Sequence, residues 1–350
     1  MGAAGYPLYR DLVAGPRPLD PGPHGRGGAA GNRRMSADIS VVILSYDRVH
    51  LLERTLRGCT TQGGDWGAFE VIVVDNHPDQ LARGLVERLA AETGVAMTYL
   101  ADPRRNISIV RNKGIAAAQG RYVAFIDDDE EPQPGWLAAL TACLDRTGAD
   151  AAFGPKLPEF EGGRAPDWDP DGWRYTLDFR MPADEPIAMF GRLRRRGKGL
   201  GSGNAAFRVS TCLDGPEPFS VAFGNANGED TQLLFRLAMA GRRFVWCPEA
   251  VVREFIETSR ARPDYMITRM KRGSQHYAVC RIDTSDNKLL TTIKVGLLGL
   301  AQTAVHAGLY VATGEFLDRT HRYDHRIGMA KGLGKLTWRA PIGFIEETAA

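Results

Sequence analysis

From Ile39 the chain alternates β-branched apolar runs with stretches whose apolar residues recur at helical spacing. This rhythm narrows the fold more than any other feature. Ile39-Ser-Val-Val-Ile-Leu44 reads as a strand, followed by a turn at Ser45-Tyr-Asp-Arg48 and a helix marked by Leu51, Leu52, Thr55 and Leu56. Phe69-Glu-Val-Ile-Val-Val74 is a second strand that ends on Asp75-Asn76. A helix over Leu81 to Thr93, closed by Gly94, leads to a third strand at Met97 to Leu100. Ile107 to Gln119 is helical and Gly120 stops it. Strands this apolar belong in a parallel sheet covered on both faces, with right-handed crossovers. The predicted class is α/β: a doubly wound, mostly parallel sheet flanked by helices.

The next strand carries the chemistry. Tyr122 to Ile126 runs straight into five consecutive acids, Asp127 to Glu131, before Pro132, Pro134, Gly135 and a helical pattern from Trp136. Ligands of such sheets sit at the carboxyl ends of the strands. Ser45 to Asp47, Asp75 and Asp127 to Asp129 all fall there. Adjacent carboxylates repel one another unless a cation sits among them, and Mg²⁺ or Mn²⁺ prefers oxygen ligands. The alternative is an acidic helix N-terminus in solvent, which suits the helix dipole. In either case an acid taken from a repelling cluster is expected to be dispensable for stability. No Gly-x-Gly-x-x-Gly follows the first strand, no Gly-x-x-x-x-Gly-Lys-Ser/Thr occurs, and Gly197, Gly199, Gly201 and Gly203 come mid-chain after an arginine run. Without a glycine cradle, a metal is expected to neutralise any bound phosphate.

Composition sets outer limits. A net charge of +2 in 350 residues excludes a generally basic nucleic-acid coat. Five scattered cysteines suggest neither a zinc knuckle nor a disulfide framework, and fit a reducing cytosol. Residues 1–36, rich in Gly, Pro, Arg and Ala, are expected to form a disordered tail without a signal-peptide core.

In the second half, Gly228-Glu229-Asp230-Thr231 opens a helix marked by Leu233, Leu234 and Leu237 and ended by Gly241. Asp230, in the first turn, is a candidate general base; a dipole-friendly acid at a helix start is the competing reading. Pro155 to Gly203 is irregular, and its Trp168, Trp173, Tyr175 and Phe179 are either sugar-stacking faces or core. The run Arg192, Arg194, Arg195, Arg196 and Lys198 is either a steering patch for phosphate or a solvated face. His321 and His325 lack a convincing third metal ligand. A basic helix beyond Pro263 precedes the apolar stretch Leu289 to Val311, which Lys294, Gln302 and His306 interrupt. That stretch reads as an interfacial or docking helix rather than a spanning one, with an ordinary amphipathic helix packed on the catalytic domain as the competing reading.

The blocks Val-Val-Ile-Leu-Ser-Tyr-Asp-Arg, Val-Ile-Val-Val-Asp-Asn, Arg-Asn-Ile-Ser-Ile-Val-Arg-Asn-Lys-Gly-Ile, Phe-Ile-Asp-Asp-Asp-Glu and Gly-Glu-Asp-Thr-Gln-Leu occur in this order over Ile39 to Glu257. In this the chain resembles the family-2 inverting glycosyltransferases of GT-A fold. Phe153-Gly-Pro-Lys-Leu-Pro-Glu-Phe160 with Trp168 is similar, more loosely, to their succinoglycan-type branch. The resemblance implies that Asp75 holds the nucleotide base, Asp127 meets ribose or sugar, and Asp129 ligates a metal bridging the diphosphate. It places Arg111 near the nucleotide, Ser45 and Asp128 in the same donor site, and the catalytic base at Asp230. Leu44 for a usual proline, Asn76 for a second aspartate and Arg253 near a frequent histidine depart from the pattern. The implied reaction uses Mg²⁺ or Mn²⁺, a nucleotide-sugar donor (a UDP-sugar favoured) and a hydroxyl acceptor such as a lipid-linked sugar. No nucleic-acid partner is expected, and the expected location is the cytoplasm, free or in peripheral contact with the inner face of the membrane. The expected division is a tail (1–36), a catalytic domain (37–257) and a helical extension (258–350). A sugar-1-phosphate nucleotidyltransferase would need a glycine- and basic-rich loop after the first strand. A nucleotide-sugar-binding regulator would keep the acidic strand without needing Asp230.

Overall fold

The computed structural model describes residues 37–65, 67–189, 199–225, 228–313 and 319–339. The predicted tail and the basic run at 192–198 lie outside them. The first half follows the sequence rhythm: β1 (Ile39–Ser45), α1 (Val49–Thr60), β2 (Phe69–Asp75), α2 (Arg83–Thr93), β3 (Met97–Ala101), α3 (Ile107–Ala117) and β4 (Tyr122–Asp127). Gly94 closes α2 in the left-handed region at φ 70°, where a side chain would be strained. After β4 come β5 (Glu130–Pro132), α4 (Trp136–Thr147), β6 (Ala151–Phe153), β7 (Lys156–Phe160), β8 (Ala205–Arg208) and the short α5 (Val209–Cys212). Then follow α6 (Glu229–Met239), β9 (Phe244–Trp246), β10 (Val252–Ile256), α7 (Pro263–Asp283), α8 (Lys288–Ala312) and α9 (Arg319–Leu336).

The main sheet has the order β3-β2-β1-β4-β8-β6-β9, and β8 runs antiparallel to both β4 and β6. The expected doubly wound, mostly parallel sheet is what the chain forms. Alternate residues of each strand supply opposite cores, as the pleat requires. Ile39, Val41 and Ile43 of β1 pack with Leu52 and Leu56 of α1, Leu89 of α2 and Trp136 of α4. Val42, Val74 and Phe125 pack on the other face with Val110 of α3 and Leu233 and Leu237 of α6. All five cysteines are buried and unpaired, as small apolar side chains.

A second sheet, β5-β10-β7, forms beside the end of β4, with β10 antiparallel to β5 and parallel to β7. It splits the acidic run. Asp127 ends one sheet while Glu130 and Glu131 belong to the other. In the irregular segment, Trp168, Tyr175 and Phe179 are core residues; Trp173 is exposed. Trp168 and Tyr175 pack with Met266 of α7 and Ile327 of α9, while Val279 and Cys280 of α7 pack with Phe223 and with Phe235 of α6. The C-terminal helices are thereby seated on the catalytic domain.

Candidate active site

Parallel pairing aligns the strand ends. Ser45 lies opposite Asp75 and Leu44 opposite Asp127, so β1, β2 and β4 deliver polar side chains to one rim. Ser45 is buried and its Oγ has no partner among the described residues. Asp75 is fully buried and accepts three hydrogen bonds: from the His77 N–H at 2.9 Å, the Ala82 N–H at 2.8 Å and the Tyr99 hydroxyl at 3.0 Å. Burial, and then the bond to Asp75, push the Tyr99 hydroxyl up to about 12. Asn76, at the position of an expected aspartate, donates its amide to the carbonyls of Asp102 and Arg104, bracing the loop after β3. The Tyr46 and His77 rings lie 5.1 Å apart beside this rim.

The acids of β4 are met by cations that the sequence reading gave no role. Arg48, at the start of α1, places its guanidinium 2.5 Å from Asp128 and 2.8 Å from Asp129. Arg260, just beyond β10, lies 2.5 Å from the same Asp129 oxygen and 3.5 Å from Glu254. Lys156 of β7 contacts Glu130 and stands 3.5 Å from Asp127. Burial pushes Asp128 up to about 7 despite Arg48, with Asp129 and Asp127 adding to the shift. Burial acts the same way on Asp129, but Arg48 and Arg260 outweigh it and hold that carboxyl below the usual range. Burial likewise pushes Glu130 up to about 8 against the pull of Lys156. A cation among these acids was expected, and protein cations stand there: Arg48, Arg260 and Lys156 offset the repulsion of the run. Arg48 closes the turn after β1 and caps α1, one residue outside the polar strand end Ser45 to Asp47. Lys156 and Arg260 come from segments with no pattern that tied them to β4.

Two carboxylates keep oxygens open. Asp127 is 44% exposed, with Arg111 at 3.9 Å. Both arginines bond Oδ2 of Asp129, and Oδ1 accepts no hydrogen bond among the described residues. Such hard oxygens fit Mg²⁺ or Mn²⁺. Because no group of three ligating side chains is assembled among the described residues, the remaining ligands would be phosphate and water. Arg253, on β10, is exposed.

Across the rim stands the start of α6. Glu229 is buried; one oxygen is 3.2 Å from Nε of Arg111 and the other has no partner among the described residues. Burial first, then the neighbouring Asp230, push Glu229 up to about 7 against Arg111. Arg111 lies against the rings of Phe125 and Phe219, each 5.3 Å away, and reaches both Glu229 of α6 and Asp127 at the end of β4. Asp230 is half-buried, and its Oδ1 accepts from the Thr231 N–H and hydroxyl. Its Oδ2 faces Gly201, where a Cβ would come within 3.1 Å. A Cβ on Gly203 would meet Lys156 Nζ at 2.5 Å and Asp127 Oδ2 at 2.6 Å. The glycines dismissed as a phosphate cradle therefore serve the same rim by leaving room beside its carboxylates. Asn204 pins their loop, accepting from the Trp136 indole N–H at 2.7 Å and donating to the carbonyls of Pro155 and Ala250 at 2.8 Å. Ser45, Asp75, Asp127 and Asp129 thus share the strand-end rim, Arg111 spans it, and Asp230 faces it from α6. Asp128 points back into the Arg48 pair.

Comparison with known proteins gives a consistent result. Glycosyl transferase family 2 matches residues 40–208. The chain is 32% identical to the succinoglycan biosynthesis protein ExoM of Rhizobium meliloti, over 68% of this chain and 73% of that protein. It is 29% identical to a Campylobacter jejuni GalNAc(5)-diNAcBac-PP-undecaprenol β-1,3-glucosyltransferase, over 35% of this chain and 40% of that one. In fold it is similar to a mannosyltransferase from Pyrobaculum calidifontis solved with GDP-Man and Mn²⁺ (TM-score 0.55, 19% identity, 93% and 92% of the chains covered). It is also similar to S. aureus TarS with UDP-GlcNAc (TM-score 0.54, 15% identity, 87% and 82% covered). These neighbours share the GT-A architecture expected from the sequence. The chain is a glycosyltransferase and belongs to glycosyl transferase family 2.

Proposed function

We propose that this enzyme moves a sugar, with inversion, from a nucleotide diphosphate to an acceptor hydroxyl in cell-surface polysaccharide or glycoconjugate assembly. The observation that carries the reading is the bridge Asp127–Arg111–Glu229, which fixes the open carboxylate of Asp230 opposite the end of β4. Inversion needs one base on the acceptor side and an electrophile on the leaving-group side. Asp230 Oδ2, with Gly201 leaving space before it, takes the proton of the incoming hydroxyl. Its Oδ1 is tied to Thr231, which fixes the carboxylate plane.

On the donor side, Asp127 meets the ribose or sugar, and the open oxygen of Asp129 would hold Mg²⁺ or Mn²⁺, which when bound would supply Lewis-acid stabilisation of the departing diphosphate. Ser45, Asp75 and the Tyr46–His77 pair line the nucleotide end, and Arg48, Arg260 and Lys156 supply positive charge beside the phosphates. A UDP-sugar is favoured, supported only by the UDP-GlcNAc bound to one fold neighbour. A lipid-linked sugar is the favoured acceptor, supported by the undecaprenol-linked acceptor in one relative's name. Asn is nearly isosteric with Asp but cannot take a full proton. Asp230→Asn should leave calorimetric nucleotide-sugar affinity within a few-fold while transfer falls about 100-fold or more. Near wild-type transfer would move the base elsewhere, and collapse of binding would make Asp230 a donor contact.

A further inference from the structure

Helix α8 is built the wrong way round for a water-soluble surface. It is the one described helix long and apolar enough to cross a membrane, and its large apolar side chains point outward. Leu289 is 74% exposed, Leu297 62% and Val311 81%, and Ile293, Leu300 and Val305 are exposed between them. Only Val295 and Gly299 of α8 are buried. The polar side chains face inward instead. Gln302 accepts from Lys335 at 2.8 Å, His306 meets His325 at 3.3 Å, and Tyr310 lies 3.4 Å from Arg322, all on α9. Gly299 and Gly332 let the two backbones close up: a Cβ on Gly332 would sit 2.8 Å from the Gly299 carbonyl. Isolated exposed leucines need no explanation, but an apolar arc along about 37 Å of helix does.

The packing behind α8 decides between spanning a bilayer and lying on it. α9 runs alongside and carries Asp324, Arg326, Lys331 and Lys335, which a spanning α8 would drag into hydrocarbon. α9 is in turn fixed to the body of the enzyme. Asp324 pairs with Arg174 at 2.5 Å, Arg326 with Asp264 of α7 at 3.2 Å, and Gln275 of α7 bonds the Thr337 carbonyl at 3.0 Å. α8 is therefore an outer layer held flat. It contains no acid, and Lys288, Lys294 and the exposed Arg322 of α9 give its border positive charge. Two copies paired through this face would oppose like charges, whereas an anionic bilayer answers both the apolar arc and its basic edge.

We propose that α8 docks the enzyme on anionic membrane, lying in the interface with its apolar arc among the acyl chains and α9 as its polar backing. Lys294, on the exposed side, reaches the headgroups along its own stem. The stack α8–α9–α7 then joins the membrane plane to α6, because Tyr277 of α7 packs on Phe235 of α6, the helix that carries Asp230. A membrane-embedded acceptor would meet the site at a fixed height.

The test uses the full chain and vesicles, with no donor present, so it fails or succeeds independently of the proposed reaction. The protein should co-sediment with phosphatidylcholine vesicles containing about a third phosphatidylglycerol, bind pure phosphatidylcholine far less, and be released by alkaline carbonate. The triple variant Ile293→Glu, Leu297→Glu, Leu300→Glu changes only exposed positions. It should keep its circular dichroism and thermal midpoint while losing vesicle binding about 10-fold or more. Resistance to carbonate would overturn the interfacial geometry in favour of a span. Absence of vesicle binding together with dimers that the triple variant abolishes in sedimentation velocity would assign the face to a second copy instead. Unchanged vesicle binding by the triple variant would also overturn the proposal.

Discussion

At the residue scale, Asp129 behaves differently from an acid in a repelling row. Its neighbours in space are two guanidinium groups, both largely buried with it. Removing the carboxylate leaves Arg48 with Asp128 alone and Arg260 with only the longer contact to Glu254, and breaking a buried pair from one side typically costs more than the pair contributes. Asp129→Ala should therefore lower stability by about 3 kcal/mol in urea unfolding, where sequence reasoning expected no loss. It should also abolish divalent-dependent donor binding; unchanged metal dependence would remove Asp129 from the ligand set. Glu229 gives the pH behaviour. Its folded pKa of about 7 lies above the ordinary 4.5 because burial disfavours the charge. The folded state thus holds a proton that the unfolded chain releases, so this contribution is complete below about pH 4.5 and is lost as pH rises through 7. Glu229→Gln should flatten the fall in thermal midpoint between pH 5 and pH 8, recovering roughly 1–3 kcal/mol at the upper end. An unchanged slope would show that Arg111 compensates the charge fully.

At the scale of elements, the site depends on the segment from Gly199 to Asn204 as much as on strands. Asn204 sits at φ 52° and ties this segment to α4 and to the turn before β10, so the glycines cannot drift. Gly203→Ala drives a methyl group into the ends of Lys156 and Asp127, which are flexible tips rather than backbone. The fold should survive with a normal thermal midpoint, while donor affinity measured by calorimetry falls about 10-fold or more, because a misplacement near 1 Å is enough. Normal affinity would mean that Asp127 does not touch the donor. The second sheet has a comparable role. Pairing β5 with β10 brings Glu130 beside Glu254, and β7 brings Lys156 between them, a three-element charge site outside the parallel rhythm.

For the whole molecule, α7 to α9 form an extension that is part of the packing rather than an appendage. Val279 and Cys280 share a core with Phe223 and Phe235, and Met266 and Ile327 cover Trp168 and Tyr175. We retain 37–257 as the proposed catalytic domain and 258–350 as its proposed extension, with these two clusters as the joint. A chain truncated after Thr258 should unfold roughly 10 °C lower in calorimetry or fail to remain soluble, since both clusters lose a wall. A midpoint within a degree or two of the full chain would show that 37–257 is self-sufficient.

The sequence by itself determined the parallel half of the sheet, because two-faced apolar strands separated by amphipathic helices have few other ways to bury themselves. It also determined the rim, since strand ends in such a sheet must fall on one side, and it marked α6 through the acids before Leu233. Tertiary structure alone decided how the charges pair. Arg260 reaches Asp129 across 131 positions of sequence and Lys156 reaches Asp127 across 29, and no local period encodes such distances. It decided that Trp168 and Tyr175 are core and not sugar platforms, because their partners lie on α7 and α9. The direction in which α8 faces was settled the same way. Its composition is compatible with a buried, spanning or surface helix. Only the placement of Gln302, His306 and Tyr310 against α9 leaves its leucines facing outward.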